Sequence, residues 1–581
     1  MPWLQLALAS EVQVENACKG MEEVFRVRYE ENGRAAPVLF VNANVITMDA
    51  QRPRASSFVA LKDRIVAVGD GQMPEWGATR RVDLDGMTIV PGFNDAHNHM
   101  LNFGLTLCHL DVGHPAARSI QDVVRLVRER ASGTPPGEWI LARNYDENKL
   151  VEKRPPTRQE LDCVAPRHPV LIAQNSGHMC VLNSLGLQAS GITDETPDPE
   201  GGRIVRDDQG HLTGLLQERA QRLVEARSAQ PRLAEVKRAL ARAGSHYLSE
   251  GITSTQEAGV GAISPHQIRA FMEARREGLL NMRVYMMISA ESFKHFPGRT
   301  PDRAHFGLDL GLATGFGDEH LKIGPMKIFA DGSLIGRTCA MDEPYENEPD
   351  NTGFFAEDPE QLRLKILDAH RSGWQVAVHA IGDRAISTVL DAYEEALTSS
   401  PRPGSRHRIE HCGVLNASLI ERIRRLGVVP VPQQPFISQL GDGFRRVLGE
   451  QRMKLCYPMK SFIRAGIPVP GSSDRPVVMG APLLGIHDAV NQLTASGQPY
   501  VPEEAVGPEE ALRFYTVGSA YASFEEDLKG SLAPGKLADF VVLDRDVTKV
   551  DKREIKETRV LCTVVGGKAM YTAPGYEALP L

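Results

Sequence analysis

Residues 91–100 read PGFNDAHNHM and follow the apolar run TIV at 88–90. Side chains two apart on an extended strand share a face, so His97 and His99 can aim both imidazoles at one ion. Taken alone, the pair fits two surface histidines in a loop equally well. What surrounds it decides between the two readings.

Downstream, apolar strand-like runs alternate with helical stretches. Eight runs end in loop residues: 88–93, 251–256, 282–289, 325–330, 375–379, 407–410, 428–432 and 467–472. Helical stretches at 360–371, 384–399, 416–426 and 453–465 follow several of them. Eight β/α alternations predict an α/β fold, a (β/α)8 TIM barrel over residues 91–524. Residues 110–235 interrupt the count with strands of their own, such as 170–174, and are expected to form an insertion domain on the catalytic face. Short alternating runs broken by turn residues occur at 38–48, 57–68 and 80–90, and again at 539–544 and 559–571. The two blocks, 36–90 and 525–575, are expected to pair into one composite β-sandwich from both termini. Residues 1–35 are an N-terminal extension. Its apolar start, PWLQLALA, lacks a basic lead-in, and Glu11, Glu15 and Glu22 follow soon after, which argues against a signal peptide. A start codon assigned too early, with Met21 as the true start, is a plain alternative.

Barrel enzymes keep their chemistry at the C-terminal ends of the strands. Besides the histidine pair, four places stand there. Lys327, in GPMKIFAD, is a cation inside an apolar strand and must find a partner or lose its charge. It is either a buried ion pair or a lysine carboxylated by CO2, whose carbamate oxygens bridge two metals. His379, in QVAVHA, and His411, in RIEHC, each fit a satisfied core histidine when read singly, and fit metal ligands when read in this order. Asp474, in PGSSDRP after the last run, fits a turn or N-cap aspartate, or a metal ligand that also moves protons. Three to five N/O ligands with one open position define a catalytic rather than a structural zinc site. Imidazole with carboxylate suits zinc first, with manganese or iron as alternatives, as one ion or two. Asp474 would then serve as general base towards water and as acid towards the leaving group.

Composition narrows the partners. The 581 residues carry 66 basic and 74 acidic side chains, a net charge of −8, with no long basic run. Nucleic acid is therefore excluded as an expected partner. No run reaches the roughly 18 apolar residues of a membrane span. Eight scattered cysteines with no CxxC spacing read as reduced thiols of a cytoplasmic protein. The expected partner is a small-molecule substrate, with a homodimer as the expected assembly for a barrel hydrolase of this size.

From residue 37 onward the chain resembles the amidohydrolase superfamily, and more closely its YtcJ-like branch, which includes N-substituted formamide deformylase. Besides the residues above, the marks are Trp139 in GEWI, PTRQELD within 155–166, NSGHMCVLN at 175–183, DGSLIGRT at 331–338, HAIGDRA at 379–385, Gln434-Pro435, and SLAPGKLADFVVLD at 531–544. The resemblance implies a distorted (β/α)8 barrel with the composite sandwich, and hydrolysis at C–N bonds of amides, formamides or related compounds. By that analogy His97, His99, Lys327, His379, His411 and Asp474 carry over as metal ligands. His178 in the insertion, Arg337 after DGSLIG, Tyr145 and Gln434 are candidate substrate contacts. Asp95 and Asp383 are expected to orient ligands or loops. Two departures fall where substrate is held. Tyr145-Asp146 stands in place of a common Trp-Asp pair, and the loop expected at 435–458 is individual to this chain. Deaminases on this scaffold often carry a glutamate three residues after the strand-five histidine, where this chain has Gly382. Deaminase, carbamate or ester hydrolase activity, and a non-catalytic scaffold that would be expected to lose ligands, are the competing readings.

Overall fold

The computed structural model describes residues 36–71, 80–174, 179–199, 201–225, 231–292, 294–297, 304–307, 312–577 and 579. The N-terminal extension and His178 lie outside them. The chain divides into two compact units. One takes the chain up to Gly92 with Glu526–Asp546 and Arg559–Leu581; the other takes Phe93–Glu525 with Val547–Thr558. No helix among the described residues is long and apolar enough to cross a membrane.

In the first unit, strands from both ends of the chain share sheets. Phe540–Leu543 pairs antiparallel with Thr88–Pro91, inside a six-stranded sheet. A four-stranded sheet, built on Ser57–Leu61 and Val38–Val41, completes the sandwich. The run read as one strand at 38–48 is two strands in different sheets, parted at Asn42, which has φ +52°. Phe40, Phe58 and Phe540 meet in the common core, the first pair stacked at 4.4 Å and the third ring edge-on at 5.2–5.3 Å.

The second unit holds the barrel. Seven parallel strands run in chain order: β1 (Phe93–Asn98), β2 (Ile252–Val260), β3 (Arg283–Ser289), β4 (Leu321–Phe329), β5 (Val376–Ala380), β6 (Arg408–His411) and β7 (Val429–Val431). Helices α1 (Leu233–Ser249), α2 (Gln267–Arg276), α3 (Pro359–Arg371), α4 (Asp383–Ser399), α5 (Ala417–Leu426) and α6 (Phe436–Met453) alternate with them. Local signals set their ends. Asp358 caps the amides of Glu360 and Gln361 ahead of Pro359, and Gly427 closes α5 at φ +62°.

Four expectations need correction. The first barrel strand starts at Phe93, because Thr88–Pro91 belongs to the sandwich. The eighth run, 467–472, is not a ladder strand. Pro468 and Pro470 lack the N–H groups a ladder needs. Side-chain amides replace them on one side: Gln434 donates to the Pro470 carbonyl at 3.1 Å and accepts from the Ser472 amide at 2.9 Å. On the other side the Ala96 amide reaches Gly471 at 2.8 Å and the Asp474 amide reaches His97 at 2.7 Å. The segment 435–458 is mostly α6, kinked at Gly449, and the helix read at 453–465 shortens to Met459–Arg464.

The insertion supplies a six-stranded sheet of its own, from Leu110–Asp111 to Leu212–Glu218. Its core holds Val123, Val127, Ile140, Leu161 and Val170.

A buried histidine pair ties α3 to the start of β6. The Val376 amide donates to His407 Nδ1 at 3.0 Å, so His407 carries its proton on Nε2 and donates to His370 Nδ1 at 2.8 Å. His370 Nε2 then donates to the Ser400 carbonyl at 2.7 Å. Every nitrogen is used only if both rings are neutral. Burial, with positive neighbours, pushes both pKa values down. A ring that titrates lower in the folded chain than in the unfolded one stabilises the fold above the unfolded pKa, and that stability is lost as pH falls below it. The unfolding free energy is therefore expected to fall as pH drops below about 6.5, by up to about 1.4 kcal/mol per pH unit for each ring, and urea midpoints fall with it. Midpoints that stay flat from pH 7 to 5 contradict this.

Candidate metal centre

The barrel interior fixes the first imidazole. Arg408 and Glu410 sit two apart on β6, both fully buried. Arg408 Nε donates to Glu410 at 2.8 Å, and its Nη2 donates to the Ala96 carbonyl at 2.7 Å. The other Glu410 oxygen accepts the His97 Nδ1 proton. That bond leaves the His97 Nε2 lone pair free, and this buried nitrogen has no hydrogen-bond partner. It faces Asp474 Oδ1 at 3.4 Å, and His99 Nε2 lies 3.1 Å from the same oxygen. Ligand atoms of His97, His99 and Asp474 lie within 4.8 Å of one another, a set that can hold a metal ion. An unpartnered imidazole nitrogen beside a carboxylate fits a divalent cation and is otherwise costly to bury.

Three further sequence-predicted residues close on this group. The His411 ring lies 5.1 Å from that of His97, and the His379 ring 4.4 Å from that of His411. Each is oriented from behind. His411 Nδ1 donates to Gln433 Oε1 at 2.7 Å, and His379 Nε2 donates to the Gly332 carbonyl at 3.0 Å. Burial keeps both imidazoles neutral, His411 down to about 3 and His379 well below its ordinary value. Lys327, on β4, is 1% exposed. Burial lowers its ammonium to about 8, against the pull of Glu410 and Asp474. Burial alone would raise the Asp474 carboxyl, but the His99 imidazole, 3.1 Å away, holds it well below the usual range. His411 and Asp474 take φ of +70° and +59°, left-handed conformations that non-glycine residues adopt at a cost and that cluster at functional sites.

The softer candidates fall elsewhere. Tyr145 is fully buried in the insertion's own core. Gln434 is buried and spent on the 467–472 segment. Arg337 is paired with Glu348 at 2.5 Å. Tyr145 and Gln434 are thus engaged in packing and backbone bonds and Arg337 in an ion pair, and the His178 expectation lies outside the described residues. Asp95 accepts from the His97 amide, the Ser473 amide and the Ser473 hydroxyl, tying β1 to the segment that carries Asp474. Asp383 accepts from the Asp342 amide at 2.9 Å and so holds a loop.

Sequence reasoning missed Glu410, Gln433 and Asp331. Asp331 accepts from the Ala340, Ile381 and Gly382 amides and lies 3.5 Å from His379 Nε2. For Glu410 a signal existed: a carboxylate two residues after an arginine and directly before His411, on a short strand of the barrel.

The chain is similar to known proteins over most of its length. Residues 80–571 fit the profile described as "Amidohydrolase family". Bacillus subtilis YtcJ, named as an amidohydrolase, is 32% identical over 85% of this chain and 90% of its own. The N-substituted formamide deformylase of Arthrobacter pascens is 31% identical over 93% of this chain and 99% of its own. The crystal structure of an uncharacterized metal-dependent hydrolase from Pyrococcus furiosus superposes with a TM-score of 0.72 at 29% identity, covering 88% of this chain and 99% of that one.

Proposed function

Because this chain belongs to the amidohydrolase family, we propose that it hydrolyses the C–N bond of a small amide, an N-acyl or N-formyl amine. The observation that carries the reading is the set of His97, His99 and Asp474, whose ligand atoms lie within 4.8 Å of one another around an unpartnered, buried His97 Nε2. The deformylase relative supports the choice of bond. His97, His99, His379, His411 and Asp474, with Lys327, would hold the metal, zinc foremost. When bound, a divalent ion supplies Lewis acidity to the carbonyl and lowers the pKa of water.

The chain's own groups do the proton work. Asp474 takes the proton of the attacking water and passes it to the departing nitrogen as the C–N bond breaks. Glu410 and Gln433 keep His97 and His411 in the tautomers that present Nε2. The lowered pKa of Lys327 raises the fraction of neutral amine near neutral pH. That amine can add to CO2 and lose a proton, giving a carbamate and a second anionic ligand. Deamination is disfavoured by the backbone. A Cβ at Gly382 would lie 2.0 Å from the Ala340 carbonyl oxygen, so no glutamate fits there.

The test is a hydrolysis screen of N-acyl amines, N-formyl amines, acyl amino acids and aryl carbamates with zinc or manganese supplied. Release of amine from the first two classes is expected; cleavage of carbamates alone contradicts the assignment. Lys327→Ala is expected to bind about one metal fewer and lose most activity. Unchanged metal content and rate would make Lys327 structural.

A further inference from the structure

Eleven large apolar side chains are exposed among the described residues, and five of them lie on two segments: Phe329, Ile335 and Phe354, then Val477 and Met479. The first segment leaves β4 just after Lys327. The second follows Asp474. Exposed apolar side chains scattered singly need no explanation, whereas a contiguous group beside a polar centre marks a binding surface.

Contacts join the two segments to the metal centre. The Phe329 ring lies 5.3 Å from that of His379 and 4.7 Å from Lys327 Nζ, yet Phe329 is 44% exposed. Asp331 and Phe355 bridge antiparallel, and the Ala356 amide reaches Ala330 at 2.8 Å. The loop thus returns with Phe354 across from Gly332, the residue whose carbonyl orients His379. Both segments also meet α6. Phe436 stacks on His411, Gln439 bonds the Met479 backbone at both ends, and a Cβ at Gly443 would lie 2.4 Å from Ile335 Cδ1. Positions 436, 439 and 443 share one helix face, which spans about 10 Å. Arg337, the cation of the first loop, is engaged by Glu348.

We infer that the site takes an uncharged amide with a bulky apolar substituent, seated against Phe329, Phe354 and Ile335. This rests on the amide-hydrolase reading above.

The experiment uses the metal-loaded protein and the N-formyl and N-acetyl derivatives of ethylamine, butylamine, hexylamine and phenethylamine, with N-acetylglycine as the charged comparator. kcat/KM is expected to rise about fourfold per methylene that becomes buried. N-acetylglycine is expected to fall at least tenfold below N-acetylethylamine. Phe354→Ser and Ile335→Ser change exposed side chains and should fold; each is expected to reduce the hexyl-to-ethyl ratio several-fold, and Phe329→Ala more. A flat series in the wild type overturns the inference, as does a ratio unchanged in all three variants. So does a variant that converts a dimer to a monomer in light scattering with the ratio intact, since the patch then serves a second copy of the chain. Cleavage of no member defeats the amide reading itself and takes the inference with it.

Discussion

Asp474→Asn is expected to lower kcat at least about 1,000-fold while the protein stays folded. The substitution keeps the size of the side chain and removes its charge and its capacity to accept a proton. General acid–base catalysis by one positioned group contributes about 100- to 10,000-fold, and here the same group faces both histidines of the pair. The Asp474 amide still reaches the His97 carbonyl, so the segment keeps its place beside β1. The check is kcat and KM on a cleaved amide, with metal content and circular dichroism on the same sample. A kcat within tenfold of wild type would remove Asp474 from the chemistry.

Glu410→Gln is expected to lose stability and metal affinity together. Glu410 is fully buried and accepts from Arg408 and from His97 Nδ1. Burial opposes its charge, yet Arg408 and His97 hold its carboxyl well below the usual range. Breaking a buried ion pair by removing one partner costs about 3–5 kcal/mol. Arg408 keeps its bonds to Gln256 and the Ala96 carbonyl, so the lower end is expected. An outer carboxylate on a ligating histidine is worth about 10- to 100-fold in metal affinity. Urea midpoints and a metal competition titration read the two effects separately. Lost stability with unchanged metal affinity would make Glu410 a structural partner of Arg408 and no more.

The candidate ligand positions were legible because most of them end an apolar run of strand length, and the fold places such ends at one mouth. His97, Lys327, His379 and His411 could be named from that rule. What positions them could not. Glu410 and His97 lie 313 residues apart, and neither spacing nor periodicity reveals such a bond. Gln433 and Gln434 adjoin in sequence, but one orients His411 while the other replaces missing ladder bonds beside Pro470, a division set only by tertiary packing. The eighth strand was over-read because its apolar run hides two prolines. Helix α6 was under-read because Gly441, Gly443 and Gly449 dilute its helical pattern. Arg337 reads as a free cation until Glu348, eleven residues on, folds back against it.

The central claim is that these residues form a metal-dependent hydrolytic centre. It is tested most directly by measuring metal content and amide hydrolysis of the wild-type protein before chelation, after chelation and after metal is restored. The account predicts bound divalent metal at the start, activity lost in step with its removal, and activity regained with zinc or manganese. Full activity in protein stripped of metal would contradict it.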